Sequence, residues 1–286
     1  MDHVVDEHGI PRSRTVSYRW LRAQGASRRG IERALREGTI VRARRDVYVS
    51  ASVSDAVVRA QRVGGRLDCL SALREHGVFV LSSGSTHVQV EHHDGRLRSP
   101  GSRRHRLHRA HDRTVVHWRM LDLPADLHTV PVVEALAHSA LCQPPRALVA
   151  SIDSALNRKL IDARDLDALF DLLPKRFGRL RAHLDGRAEA GSETLARLIA
   201  RSLGCRVEVQ REIPGVGRVD LVIDGWIVVE CDSRQFHSGW EIQERDRARD
   251  LALAALGMVC IRPTATMIFT RPEDLVAAIR GLLALR

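Results

Sequence analysis

Three acids bracket one apolar hairpin near the end of this 286-residue chain. The run reads Arg218-Val219-Asp220-Leu221-Val222-Ile223-Asp224-Gly225-Trp226-Ile227-Val228-Val229-Glu230-Cys231-Asp232. β-Branched and aliphatic residues climb both sides of an Asp-Gly pair, the pattern of a hairpin turn. Carboxylates at the rim of such a hairpin are costly unless a cation offsets them, and a divalent metal is the obvious one. Strand alternation sends Glu230 and Asp232 to one side and Cys231 to the other. Loop length decides whether Asp220 joins them. A two-residue loop sets Asp220 opposite Val229, facing away from Glu230. A three-residue loop, with Gly225 left-handed in a bulge, is expected to turn Asp220 towards Val228 and diagonal to Glu230, roughly 7–8 Å away between Cα atoms. Two carboxylates at that separation can share a metal ion. The alternative is that both acids simply end strands in solvent.

With its surroundings this segment resembles the PD-(D/E)XK nuclease superfamily, most closely the branch allied to the very-short-patch repair (Vsr) endonucleases. The ordered residues that carry the resemblance are Gly191-Ser192-Glu193 at a helix start, Asp220, Glu230-Cys231-Asp232, His237, Asp246 and Arg249, Leu253, Gly257 and Ile261-Arg262. Asp232 stands where the superfamily has a lysine, and Ser233 where the Vsr-like branch has glycine. The resemblance implies a restriction-endonuclease-like α/β/α domain over 186–286 that hydrolyses DNA phosphodiester bonds with Mg²⁺, or Mn²⁺ in its place. It implies Asp220, Glu230 and Glu193 as metal ligands, with the Cys231 carbonyl as a further one. Asp232 would then bind a second metal or orient a water, and His237 would act as general base or phosphate contact. Asp246 and Arg249 share a face of a helix expected over 241–256 that ends at Gly257, either clamping a phosphate or bracing the helix. Thr270 is expected to cap the last helix in a capping box, with Pro272 and Glu273 in its first turn.

A cutter needs something that holds DNA, and the charge shows where. The net charge is +10, but residues 1–120 hold 23 Lys+Arg against 12 Asp+Glu, and residues 121–286 hold 22 against 23. The positive excess is an electrostatic footprint for phosphate in the N-terminal part, so double-stranded DNA is the expected partner. The first fifty residues give that charge a shape. A helix over 15–23 closes at Gly25, and Ser27 caps a second helix over 28–36 that stops at Gly38. Strands at 39–41 and 47–49 then flank the basic tip Arg42-Ala43-Arg44-Arg45. That order reads as a winged helix-turn-helix, with Arg28 and Arg29 meeting base edges and Arg42, Arg44 and Arg45 meeting backbone. The segment resembles the N-terminal domain of AbiEi-type antitoxins, which are transcriptional repressors.

The expected organisation is α/β multidomain: a winged helix-turn-helix over 1–50, a basic β-containing AbiEi-like region over 51–125, a helical connector over 126–185, and the nuclease domain. Seven histidines crowd residues 87–117 of the basic region: His87, His92, His93, His105, His108, His111 and His117. No His/Cys spacing there matches a zinc template, so they read as a solvated, phosphate-facing surface. Five isolated cysteines suit a reducing cytosol, and no signal peptide or membrane-length apolar run is evident, so the expected location is cytoplasmic. At 4% aromatic, base-stacking platforms for single strands are not expected. Three functions stay open. One is a metal-dependent endonuclease or nickase, alone, as a homodimer or with a repair or defence partner. The second is an AbiEi-like repressor whose nuclease fold is inactive or autoregulatory; the third is a nuclease-fold scaffold that works only inside a defence or repair complex.

Overall fold

Helix ends in the first fifty residues follow from capping chemistry. The computed structural model describes residues 6, 9–82, 84–92, 95–109, 111–231 and 240–285. Ser17 accepts a hydrogen bond from the Trp20 N–H and starts α1 (Tyr18–Ala23). Ser27 accepts from the Gly30 N–H and starts α2 (Arg28–Glu37), which Gly38 closes. An antiparallel ribbon follows, β1 (Ile40–Arg44) and β2 (Val47–Ser50). Ile10, Val16, Leu21, Ile31, Ile40 and Tyr48 form the core that holds these pieces together.

The chain divides into two units, Met1–Val78 with Ser82–Cys142, and Phe79–Leu81 with Gln143–Arg286. In the first, α3 (Asp55–Val63), β3 (Arg66–Leu67) and α4 (Cys69–Glu75) precede β4 (Thr86–Val90). β5 (Arg98–Ser99) and β6 (Ser102–Arg106) form a small ribbon, and β7 (Thr114–Trp118) and α5 (Val132–Ser139) complete the unit. Its central sheet runs β3-β4-β7, with β4 and β7 parallel. Segments 1–50 and 51–125, read above as separate domains, fall in this one unit apart from Phe79–Leu81.

The second unit begins with helices: α6 (Pro145–Asn157), α7 (Ala163–Leu172), a 3₁₀ segment (Lys175–His183) and α8 (Gly191–Ser202). The expected connector over 126–185 is thus divided, with α5 in the first unit and the rest packed into the second. α6 and α8 share apolar core contacts and a buried ion pair. Asp153 of α6 accepts from Arg197 Nη2 of α8 at 2.7 Å, with both side chains at most 1% exposed.

The sheet of this unit runs β11-β10-β9-β8. β8 (Val207–Ile213), β9 (Gly217–Ile223) and β10 (Ile227–Val229) form an antiparallel meander. α9 (Trp240–Ala255) then crosses to β11 (Val259–Ile261), which lies parallel to β10. Leu221, Ile223, Ile227 and Val229 pack with α8 and with the last two helices, α10 (Ala265–Thr270) and α11 (Pro272–Leu283). Val219, Val222 and Val228 pack instead with Leu253 of α9. Helices therefore cover both faces, which is why the strands read as continuous apolar runs. The expected capping box on α11 does not form. Arg271 is the N-cap without a side-chain bond, and the Thr270 hydroxyl donates back to the Thr266 carbonyl at 2.7 Å.

Candidate functional site

The turn decides where Asp220 goes. Asp224 and Gly225 take φ of +47° and +80°, the positive pair that primed hairpin turns need, and Trp226 N–H closes the turn on the Ile223 carbonyl at 3.1 Å. Yet Ile227, not Trp226, is the ladder partner of Ile223, so the return strand carries one extra residue. The odd offset expected above is present, but its consequence differs from the expectation. With Val228 across from Val222 and Val229 across from Leu221, one further step brings Asp220 directly opposite Glu230 and not diagonal to it.

Opposite strand positions do not make one cluster of carboxylates here. Asp220 accepts from the Cys231 N–H at 2.8 Å and from Gln210 Nε2 at 3.4 Å. The same Gln210 nitrogen donates to Glu193 Oε2 at 2.9 Å, so one amide links the two acids. Glu193 is 4% exposed and also accepts from the Glu189 N–H at 3.0 Å. Gln210 stands mid-strand with φ +52°, a conformation non-glycine residues rarely adopt. At this level the alternation of β9 slips: Val219 and Val222 pack on the α9 side while Leu221 and Ile223 pack on the α8 side. No sequence signal marked Gln210; it becomes visible only once β8 is registered against Asp220.

Glu230 is engaged elsewhere. Arg249 Nη2 donates to its Oε1 at 2.5 Å, and Arg262 Nε donates to its Oε2 at 2.9 Å. Arg249 also donates to the carbonyls of Val216 and Arg218, and Arg262 makes a two-bond pair with Asp250. Of the two roles expected for Arg249, bracing describes these contacts. Asp246 is exposed. Asp232 and His237 lie outside the described residues.

The electrostatics separate the inner pair from Glu230. Burial, then the nearby Asp220 charge, pushes the Glu193 carboxyl up to about 6. Asp220 is also raised, mainly by burial, with Glu230 adding to it. Gln210 Oε1 is buried without a hydrogen-bond partner among the described residues. Two acids whose charges oppose each other, beside an oxygen with no donor, are a hard-oxygen set that a Mg²⁺ ion fits. Glu230, with both oxygens on guanidinium groups, is a less free ligand than the expectation made it.

This charge conflict has a measurable consequence. Folded Glu193 keeps its proton to about pH 6, against an ordinary 4.5. Between those values the folded chain binds more protons than the unfolded one, so stability falls as pH rises through the window and stays lower above it. Glu193→Gln is therefore expected to raise the melting temperature of the metal-free protein at pH 7, by a stability gain on the order of 1–2 kcal/mol. The gain should fade towards pH 4.5, and parallel melting curves across that range would refute the assignment.

The N-terminal arginines are only partly where the expectation put them. Arg28 and Arg29 are exposed in the first turn of α2, where Arg28 Nε donates to Glu32 at 3.0 Å. In the ribbon, Arg45 is exposed, but Arg42 folds over the Tyr48 ring at 5.8 Å and Arg44 lies against Gly64. Both are half-buried, and the contacts are made by their guanidinium ends. The histidine-rich region also departs from a uniformly solvated surface. His92, His105, His108 and His111 are exposed, whereas His87 is buried and His117 half-buried. A cleft of about 510 Å³ in the same unit is lined by Arg59, Arg74, Arg113, Asp55 and Asp112 among others and contains none of the acids discussed above.

Comparison with protein-family models, with curated proteins and with solved structures finds no match in any of the three. No helix among the described residues is long and apolar enough to cross a membrane.

Proposed function

We propose that the protein is a metal-dependent DNA endonuclease or nickase of the Vsr-like PD-(D/E)XK type, its second unit cutting and its first unit holding DNA. The observation that carries this reading is the Glu193–Asp220 pair: a buried and a half-buried carboxylate, mutually opposed and bridged by Gln210, on a mixed sheet with helices on both faces. A helix-covered sheet of this kind is what the restriction-endonuclease-like resemblance expects. Glu193 and Asp220, with the Gln210 oxygen, would hold Mg²⁺, and Glu230 is a further ligand only if its arginines yield. Bound there, the metal supplies an activated water and stabilises charge on the phosphate oxygens. The residues themselves do the rest. Gln210 keeps the two carboxylates oriented, the Cys231 N–H fixes Asp220, and Arg249 and Arg262 hold the end of β10 at Glu230. Outside the described residues, Asp232 and His237 complete the proposed site. Purified protein incubated with supercoiled plasmid should nick or linearise it with Mg²⁺ or Mn²⁺ and leave it intact with EDTA.

The first unit would act as the reader. Its helix–turn–helix and ribbon order supports a winged helix with Arg28 and Arg29 at the start of the second helix, both exposed. Arg28→Ala combined with Arg29→Ala is expected to weaken DNA binding and to reduce the slope of log affinity against log salt by up to about 2. Fluorescence anisotropy across a NaCl series reads this directly, and an unchanged slope would remove these arginines from the interface. One observation favours the second reading, an AbiEi-like repressor with a silent nuclease fold: Glu230 is already neutralised by Arg249 and Arg262. That reading forecasts DNA binding with no plasmid cleavage under any metal.

A further inference from the structure

In the first unit, four side chains far apart in sequence converge: Cys69, His87, His117 and Cys142 each bring one ligand atom to within 4.8 Å of all the others. Each comes from a different place. Cys69 opens α4, His87 lies in β4, His117 in β7, and Cys142 follows α5. The parallel pairing of β4 and β7 sets His87 beside Val115 and His117 beside Gln89, so both histidines project from one face. Their rings stack at 5.3 Å, with His87 Nδ1 at 3.1 Å from His117 Nε2. Cys142 Sγ is 4.0 Å from that same His117 nitrogen.

These separations are the edges of a coordination tetrahedron. Zn–N bonds of 2.0–2.1 Å and Zn–S bonds of 2.3 Å give edges of about 3.3 Å between two nitrogens, about 3.6 Å between nitrogen and sulfur, and about 3.8 Å between two sulfurs. The observed contacts straddle those lengths. Two thiols and two imidazoles select Zn²⁺ over hard cations such as Mg²⁺. The surroundings hold the ligands in place. Cys69 takes φ +53°, a left-handed conformation for a non-glycine residue at a helix start. Its N–H donates to Asp68 Oδ1 at 2.6 Å, and Asp68 Oδ1 also meets His138 Nδ1 at 2.6 Å. The His87 N–H donates to the Ser71 hydroxyl at 2.9 Å, which pins β4 to α4.

We propose that Cys69, His87, His117 and Cys142 form a structural Zn²⁺ site that joins α4, the β4–β7 sheet and the segment after α5. All four positions come from the protein, which leaves none for substrate, so the metal here organises the unit and does no chemistry. The site is independent of the acidic pair in the second unit and differs from it in ligand softness. A disulfide between Cys69 and Cys142 is the competing explanation for two neighbouring sulfurs.

The test uses the full chain, purified under reducing conditions from zinc-supplemented cells. Elemental analysis should find about one zinc per chain. Replacement by Co²⁺ should give the intense visible absorption of a tetrahedral site with thiolate ligands. Cys142→Ser and His117→Ala should lose the metal, while Cys260→Ser in the other unit keeps it. If those variants do not fold, the wild-type Co²⁺ spectrum still decides. A folded, reduced wild type holding below about a tenth of an equivalent of zinc, with no Co²⁺ spectrum, would overturn the proposal. So would an intact mass showing a Cys69–Cys142 disulfide that forms equally with zinc present.

Discussion

Asp220→Asn and Glu193→Gln are each expected to lower plasmid nicking by at least about 10³-fold while DNA binding persists. The size follows from the proposed role. A metal ion contributes several kcal/mol of transition-state charge stabilisation, and each 1.36 kcal/mol is tenfold in rate. Both substitutions keep shape and remove one of two charges, buried Glu193 and half-buried Asp220, that oppose each other. Neither should harm folding, because each acid is already raised by burial. Affinity should hold, since the positive excess lies in residues 1–120. Nicking assays with parallel anisotropy separate the two effects. Undiminished nicking by both variants would assign the activity to a contaminant.

Glu230→Gln is the less clean probe, although it looks the most attractive in the sequence. Glu230 accepts charge-assisted bonds from Arg249 and Arg262, and Arg262 also carries Asp250. Glutamine keeps one accepting oxygen and turns the other into a donor, so one of the two guanidinium groups faces an NH₂ at the end of β10. Loss of nicking in that variant would mix chemistry with a loosened end of β10. The repressor reading is tested by the wild type alone, through cleavage or its absence.

How far the sequence carries this argument depends on how local each signal is. Ser27 and Gly38 mark the ends of α2 because capping is decided by adjacent residues. The Asp224-Gly225 turn and the Val/Ile runs beside it are legible for the same reason, and so is the extra residue in the return strand. The partners of Glu230 are not legible, since Arg249 and Arg262 reach it only after a helix and a parallel strand bring them round. Gln210 looks like any polar residue in a strand until the register sets it against Asp220. The Cys/His cluster is hidden most deeply. Its members stand at 69, 87, 117 and 142, without the short paired spacings by which zinc sites are recognised in sequence. Thr270 shows the opposite error, a local capping signal overridden because its hydroxyl bonds backwards within its own helix.

The largest stability effect is expected at Asp153 and Arg197, and it should be asymmetric. Arg197 is fully buried, donating to Asp153 at 2.7 Å and to the His183 carbonyl at 2.8 Å. Asp153 also accepts from the Thr194 hydroxyl and the Asp185 N–H. Asp153→Ala leaves a buried guanidinium that cannot shed its proton, so it should cost about 3–5 kcal/mol. Arg197→Met leaves a buried carboxyl, which has an escape. Burial already pushes Asp153 up to about 6 with the arginine present, and losing the arginine raises it further, so the acid goes neutral near pH 7. Its cost should be smaller and should shrink as pH falls, because protonation removes the uncompensated charge. The double variant Asp153→Leu with Arg197→Met, having no charge left to bury, should be more stable than Asp153→Ala alone. Urea unfolding of the four proteins at pH 5.5 and 8 reads all three comparisons. Equal, pH-independent losses for Asp153→Ala and Arg197→Met would show that packing, not charge burial, joins α6 to α8.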